Sequence, residues 1–187
     1  MSIAEIILKI RALCDADNPV IVAIDGRCGS GKTTLAERLR EEFEGNVIHM
    51  DDFFLRPEQR SQKRLAKAGE NIDHERFLRE VLQPLKQGGS FSYRPFDCGK
   101  MALGAPLQVT PKALTIVEGS YSCHPKLWEY YDLRIFCDID APEQMQRIIK
   151  RDGKKWAQVF ASEWIPMEEK YFDAFSLRER CDIIYNT

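Results

Sequence analysis

Residues 20–39 read VIVAIDGRCGSGKTTLAERL. The apolar run Val20–Ile24 leads through Asp25 into a glycine-rich turn, and a helical pattern begins at Lys32. A nearly continuous apolar run is how a strand covered on both faces reads. The turn spells Gly26-x-x-x-x-Gly31-Lys32-Thr33, a phosphate-binding P-loop in its required strand–loop–helix setting. Gly26, Gly29 and Gly31 let backbone N–H groups turn inward where a Cβ would crowd a phosphate. Arg27, Cys28, Ser30 and Thr34 belong to the same cradle, and the helix start adds the positive end of its dipole. Lys32 has the reach for β- and γ-phosphates, and the Thr33 hydroxyl can ligate magnesium. A dinucleotide turn needs G-x-G-x-x-G, whereas this chain reads G-x-x-G-x-G and adds a Lys-Thr pair that hydride chemistry does not use. The stretch predicts binding of a nucleoside triphosphate.

Working outward, four more apolar runs read as buried strands: Val47–His49, Leu114–Val117, Leu133–Cys137 and Asp182–Tyr185. Helical patterns lie between them at Lys32–Glu44, His74–Lys86, Pro142–Arg151 and Pro166–Phe175. Such alternation predicts an α/β domain with a five-stranded, mostly parallel sheet and right-handed crossovers, in the order 2-3-1-4-5. The interval 53–112 is too long for a plain crossover. It holds the helix at 74–86 and then GGSFSYRPFDCGKMALGAPLQVTP, whose Gly and Pro residues predict an irregular hairpin standing on the sheet. One domain over 1–187 is expected, with this insertion as the acceptor-binding region and a short lid over 147–160.

The bulk numbers exclude several classes. A hydrophobic fraction of 44%, a charged fraction of 30% and a net charge of −2 describe a globular chain with no polyanion-binding signature, so nucleic acid is not expected as a partner. The six cysteines are scattered without C-x-x-C pairs and the three histidines lie apart, so no zinc spacing is present. That usage suits a reducing, cytoplasmic setting. Ile3, Ile6, Ile7, Ile10 and Leu13 recur at helical spacing, with Glu5, Lys9 and Arg11 between them. This predicts a packed amphipathic helix rather than a signal peptide or membrane span.

Among triphosphate-binding proteins, the chain lacks the N-K-x-D guanine motif and is short for a motor or remodelling ATPase. A small-molecule kinase needs a carboxylate for the acceptor hydroxyl, a second acid for the metal and a basic lid. Asp51 and Asp52 follow the second strand, on the sheet edge where the cradle opens. Glu118 ends the third strand on the same edge and is a candidate magnesium ligand with Thr33 and Asp51, or else a solvated strand end. An ordinary Asp is a weak base, so Asp51 is expected to orient the hydroxyl and accept its proton late.

The ordered set of P-loop, DDFF, NIDHERF, YRPFD, IVEGSY and DLRIFCDIDAPEQMQRIIKRD resembles the uridine kinase-like family of P-loop nucleoside kinases. DDFF is also similar to nicotinamide riboside kinases. The resemblance runs from Val20 to Tyr185 and implies ATP and Mg2+ as cofactors, Asp51 and Lys32 as catalytic residues, and a nucleoside 5′-hydroxyl as acceptor. It implies that Phe54 lies beside the substrate, that Asp73 binds ribose hydroxyls and that Phe96-Asp97 lines the base pocket. It implies that Arg147 and Arg151 begin the lid, continued by Lys154. Such kinases often assemble into oligomers, so a homo-oligomer is possible.

The chain departs from the pattern where Cys98-Gly99-Lys100 replaces a base-contacting histidine and where Lys154 and Lys155 replace lid arginines. Tyr93 and Arg94 are candidates to line the acceptor pocket, and Asp52 to support Asp51. Arg56, Arg60, Lys63, Arg64 and Lys67 read as a solvated helical face, or as a wall suited to an anionic acceptor. A non-nucleoside acceptor, such as a sugar or vitamin precursor, and a regulatory ATP-binding module remain the alternatives.

Overall fold

The structure is a computed structural model that describes residues 1–14 and 19–187. Five parallel strands form the central sheet: β1 Val20–Gly26, β2 Asn46–His49, β3 Leu114–Glu118, β4 Leu133–Asp138 and β5 Ile183–Asn186. Their spatial order is β2-β3-β1-β4-β5, as expected from the alternation of apolar runs and helices. The register pairs Val20 with Leu114 and Gly26 with Cys137, so β1 lies between the third and fourth strands. His49 pairs with Glu118, which brings the end of β2 level with the end of β3.

Successive side chains on a strand point to opposite faces, and the core divides accordingly. Val20, Val22 and Ile24 pack with Ile6 and Ile10 of α1 (Ile3–Cys14) and with Leu35 and Leu39 of α2 (Lys32–Phe43). Ile21 and Ala23 face the other layer, with Phe53, Phe77, Val81, Phe136, Tyr171 and Phe172. That layer is built from a helical stretch α3 (residues 74–87), widened by a π turn at Leu78–Leu82, and from α5 (Ile165–Phe175). Among the described residues no helix is long and apolar enough to cross a membrane.

Two expected boundaries shift. The helix predicted to end at Arg151 runs as α4 from Ala141 to Val159, broken at Gly153, whose φ of 84° and ψ of 164° are not helical. A π turn, Phe160–Trp164, then carries the chain straight into α5. The hairpin is two short antiparallel ribbons in series: Phe91–Tyr93 pairs with Leu107–Val109, and Phe96–Asp97 with Ala102–Leu103. Of the basic residues 56–67, Lys63 and Arg64 lie on the brief helical turn Gln62–Leu65, Arg56 and Arg60 flank the turn Pro57–Gln59 and Lys67 follows both, so they do not share one helical face.

Candidate active site

β1 ends where the cradle begins, and close packing dictates its first glycine. A Cβ on Gly26 would stand 2.1 Å from the Cys137 carbonyl oxygen, and its φ of 125° disfavours any other residue. Gly29 and Gly31 hold φ values of 76° and 84°, which turns the loop into the start of α2. Lys32 folds back over the loop, donating to the carbonyls of Gly26 at 2.8 Å and Arg27 at 2.9 Å. Ser30 Oγ is buried without a partner inside the cradle.

The acids converge on this loop from neighbouring strands. Glu118 is buried; its Oε2 accepts from Thr33 Oγ1 at 3.2 Å, and its Oε1 lies 2.5 Å from His49 Nδ1. That hydrogen bond raises the His49 pKa. Asp51 sits two residues beyond β2 on the 3-10 segment Met50–Phe53. A Cβ on Gly119, the residue after Glu118, would lie 3.5 Å from Asp51 Oδ1. Asp51 keeps solvent contact, yet the surrounding protein strips enough hydration to raise its pKa. Lys32 opposes that shift and Glu118 adds to it.

Asp52 faces the other way. Its Oδ2 accepts from Tyr93 Oη at 3.0 Å, and its backbone carbonyl accepts from Arg76 Nη2 at 2.7 Å. Phe53 is fully buried beneath Arg76, whose guanidinium carbon lies 4.1 Å from the ring centroid. Phe54 is half-buried and bridges to Ile72, beside Asp73. Asp73 is buried; it caps α3 by accepting from Arg76 N at 3.0 Å and also accepts from Gln59 Nε2 at 2.8 Å. Phe96 is buried with Arg60 5.9 Å above its ring. Arg94 spans the hairpin, donating to the carbonyls of Gly104 at 2.7 Å and Leu103 at 3.1 Å, so its fork braces the ribbon.

On the lid side, Arg147 donates to Gly29 O at 3.4 Å and to Thr187 Oγ1 at 3.0 Å. Arg151 pairs with Asp152 at 2.8 Å, and Lys154 is exposed beyond the break at Gly153. Arg27 points away from the cradle, into Glu169 at 2.8 Å and Asp138 at 3.2 Å.

Several residues that frame the cradle were not foreseen from the sequence. Asp25 is fully buried and accepts from Gly26 N, Tyr121 N, Cys123 N and Tyr171 Oη at 2.7–3.1 Å. Burial pushes its carboxyl up to about 6 against those donors. An acid closing an apolar run was a visible signal for it. His49, Gln144 and Glu168 carried no comparable signal, because their partners are remote in sequence. Glu70, His74 and His124 form a further cluster, but the two imidazoles stack 4.3 Å apart at 15°. Near-parallel rings at that spacing share no in-plane point for a metal, so the cluster reads as packing.

A profile of the Phosphoribulokinase / Uridine kinase family matches residues 21–158. The chain belongs to this family. A uridine kinase of Brevibacillus brevis is 31% identical over 151 residues, covering 72% of this chain and 67% of the relative. A uridine kinase of Staphylococcus aureus is 29% identical over 147 residues, with 72% and 69% covered. Among solved structures, a putative fructose transport system kinase from Silicibacter sp. superposes with a TM-score of 0.72 at 21% identity, covering 99% of both chains. A possible uridine kinase from Bacillus stearothermophilus gives 0.66 at 20% identity, over 97% and 99%. At those identities the structures speak for the fold, a P-loop kinase sheet flanked by helices. The family supports ATP-dependent phosphoryl transfer as the chemistry of this kinase.

Proposed function

We propose that the kinase moves the γ-phosphoryl group of ATP to a hydroxyl of a small acceptor, the 5′-hydroxyl of a nucleoside being the favoured case. The observation that carries this reading is the placement of Asp51. Its carboxylate lies against Gly119, one residue past the Glu118 that holds Thr33 of the cradle. An acceptor hydroxyl bound at Asp51 would therefore meet the terminal phosphate at the cradle mouth. Phosphoryl transfer passes through a loose transition state, so aiming the hydroxyl and neutralising charge are the main tasks. Asp51 aims and takes the proton late; Lys32 turns from the loop carbonyls to the phosphate oxygens.

Thr33, Glu118 and Asp51 offer hard oxygen donors, a set that fits Mg2+. Held by these residues, the ion would offset the negative charge that develops in the transfer. Arg147, beside Gly29, is the first lid cation to reach the phosphates, with Arg151 and Lys154 following. Phe54, Asp73 and Phe96 form the acceptor wall, and Asp52, Tyr93 and Arg94 stiffen it from behind.

A second reading, an anionic non-nucleoside acceptor, is favoured by one feature. Arg60 stands over Phe96, its Nε donating to Leu55 O at 2.9 Å and its charge also facing Cys98. A phosphate-transfer screen across nucleosides, sugars and vitamin alcohols separates the two. Turnover on a nucleoside, lowered about 10²-fold or more by Asp51→Asn and by Lys32→Ala, supports the first reading. Full turnover by either folded variant would sink the assignment of these residues.

A further inference from the structure

Both backbone polar groups of one cradle residue, Cys28, are held by side chains from the two ends of the lid. The Cys28 N–H donates to Glu168 Oε2 at 3.0 Å, and the Cys28 carbonyl accepts from Gln144 Nε2 at 2.9 Å. Gln144 lies in the first turn of α4 and Glu168 in the first turn of α5. Between them run Arg147, Arg151, the break at Gly153 and Lys154. Both side chains are more than nine-tenths buried, so neither bond competes with bulk water.

Glu168 is further fixed by Ser120 Oγ, which donates to its Oε1 at 2.6 Å from the loop after β3. Its neighbours on α5 hold adjacent points of the same loop. Glu169 takes the Arg27 fork, and Tyr171 Oη donates to Asp25 at 2.9 Å. Leaving a carboxylate beside a triphosphate site costs repulsion, so its presence calls for a compensating role. Fixing the crown of the cradle is such a role, because N–H groups aimed in advance bind phosphate without reorganising.

We propose that Gln144 and Glu168 are a pair of positioning residues. They suspend the Cys28 backbone, through the two peptide units that flank its Cα, between the two roots of the lid and so keep the phosphate cradle in register with the lid cations. They act through the loop and need touch neither ATP nor the acceptor. The inference rests on the triphosphate cradle alone, not on which acceptor is used.

The test is calorimetric Mg·ATP binding to the full chain without acceptor, for wild type, Gln144→Ala, Glu168→Ala, Glu168→Gln and the double alanine variant. Each alanine is expected to weaken binding roughly tenfold, the scale of one buried charge-assisted or amide hydrogen bond. The double variant should lose clearly less than the product of the single losses, because both act on the backbone of one residue. Glu168→Gln should stay within roughly threefold of wild type, since its amide oxygen still accepts from Cys28 N and its NH2 group can donate to Ser120. Phe172→Ala, a packing change on the same helix, controls for stability: it should lower the melting temperature and leave Mg·ATP affinity within roughly threefold. Alanine variants that bind like wild type, losses that simply multiply, a glutamine variant as weak as alanine, or an equal binding loss in the packing control would each overturn the proposal.

Discussion

Asp51 and Asp52 share a sequence motif but not an electrostatic setting. Asp52 is spent on scaffolding, tied to Tyr93 through its side chain and to Arg76 through its carbonyl. Asp51 is left facing the cleft, with its pKa raised first by lost hydration. The reaction needs Asp51 ionised to accept the hydroxyl proton. Turnover should therefore fall as pH drops through its raised pKa, giving an acid limb above the ordinary aspartate value of 3.8. A pH–rate profile of kcat/KM, which reports the free enzyme, checks this; a limb at or below 3.8 would remove Asp51 from the role. The position of the pair beyond β2 was legible in the sequence, because an apolar run followed by acids marks a strand end. Their division of labour was not, since Tyr93 and Arg76 lie far along the chain.

At the scale of elements, the long helix α4 carries the main departure from expectation. Asp152-Gly153 looks like a helix stop, yet the helical run resumes and joins α5 through Phe160–Trp164. Gly153 adopts φ 84° and ψ 164°, a region that only glycine occupies cheaply, and a Cβ there would meet nothing within 4 Å. Space is thus no obstacle, and the backbone torsion alone decides. Gly153→Ala should favour a continuous helix, re-aim Lys154 and Lys155, and lower kcat several-fold while the melting temperature changes by only a few degrees. Steady-state kinetics alongside thermal melts check both halves. The helical periodicity of 142–151 was readable, but a glycine that breaks direction without ending the element leaves no periodic trace.

For the whole molecule, two buried groups oppose each other as acidity changes. His124, stacked on His74 and buried, has its pKa pushed down to about 3 by lost hydration and by the neighbouring His74. Its folded pKa lies below the unfolded value of 6.5, so the unfolded chain takes up the proton first and stability drops as pH falls from 6.5 toward 3. Asp25, raised to about 6 from 3.8, gives the reverse slope: folding is favoured by its protonation, and that contribution is lost as pH rises from 3.8 through 6. The two slopes oppose each other where their windows overlap, between 3.8 and about 6. Replacing His124 with Phe keeps a ring on His74 and removes one slope. Between pH 7 and 5, wild type should lose on the order of 1–2 kcal/mol relative to His124→Phe in denaturant unfolding. A difference independent of pH would mean that the imidazole titrates alike in the folded and unfolded chains, and a gain for wild type would mean that it is charged when folded. The sheet order was legible because five apolar runs alternate with helices. The Asp25 network was not, for its donors arrive from residues 121, 123 and 171.

The neighbours of β1 have a consequence for how the chain is made. Both strands that flank it, β3 and β4, come from residues 114–138, after the whole acceptor insertion. The cradle glycine packs against Cys137, and Asp25 waits for Tyr171. During synthesis the phosphate-binding motif emerges early and stays without a wall on either side until most of the chain has followed. Loop-closure entropy must be overcome before these non-local pairings reward the fold. A ribosome-bound chain of this kinase would thus expose the apolar strand β1 until its flanking strands follow, and would acquire affinity for nucleotide only after residues through Tyr171 have emerged.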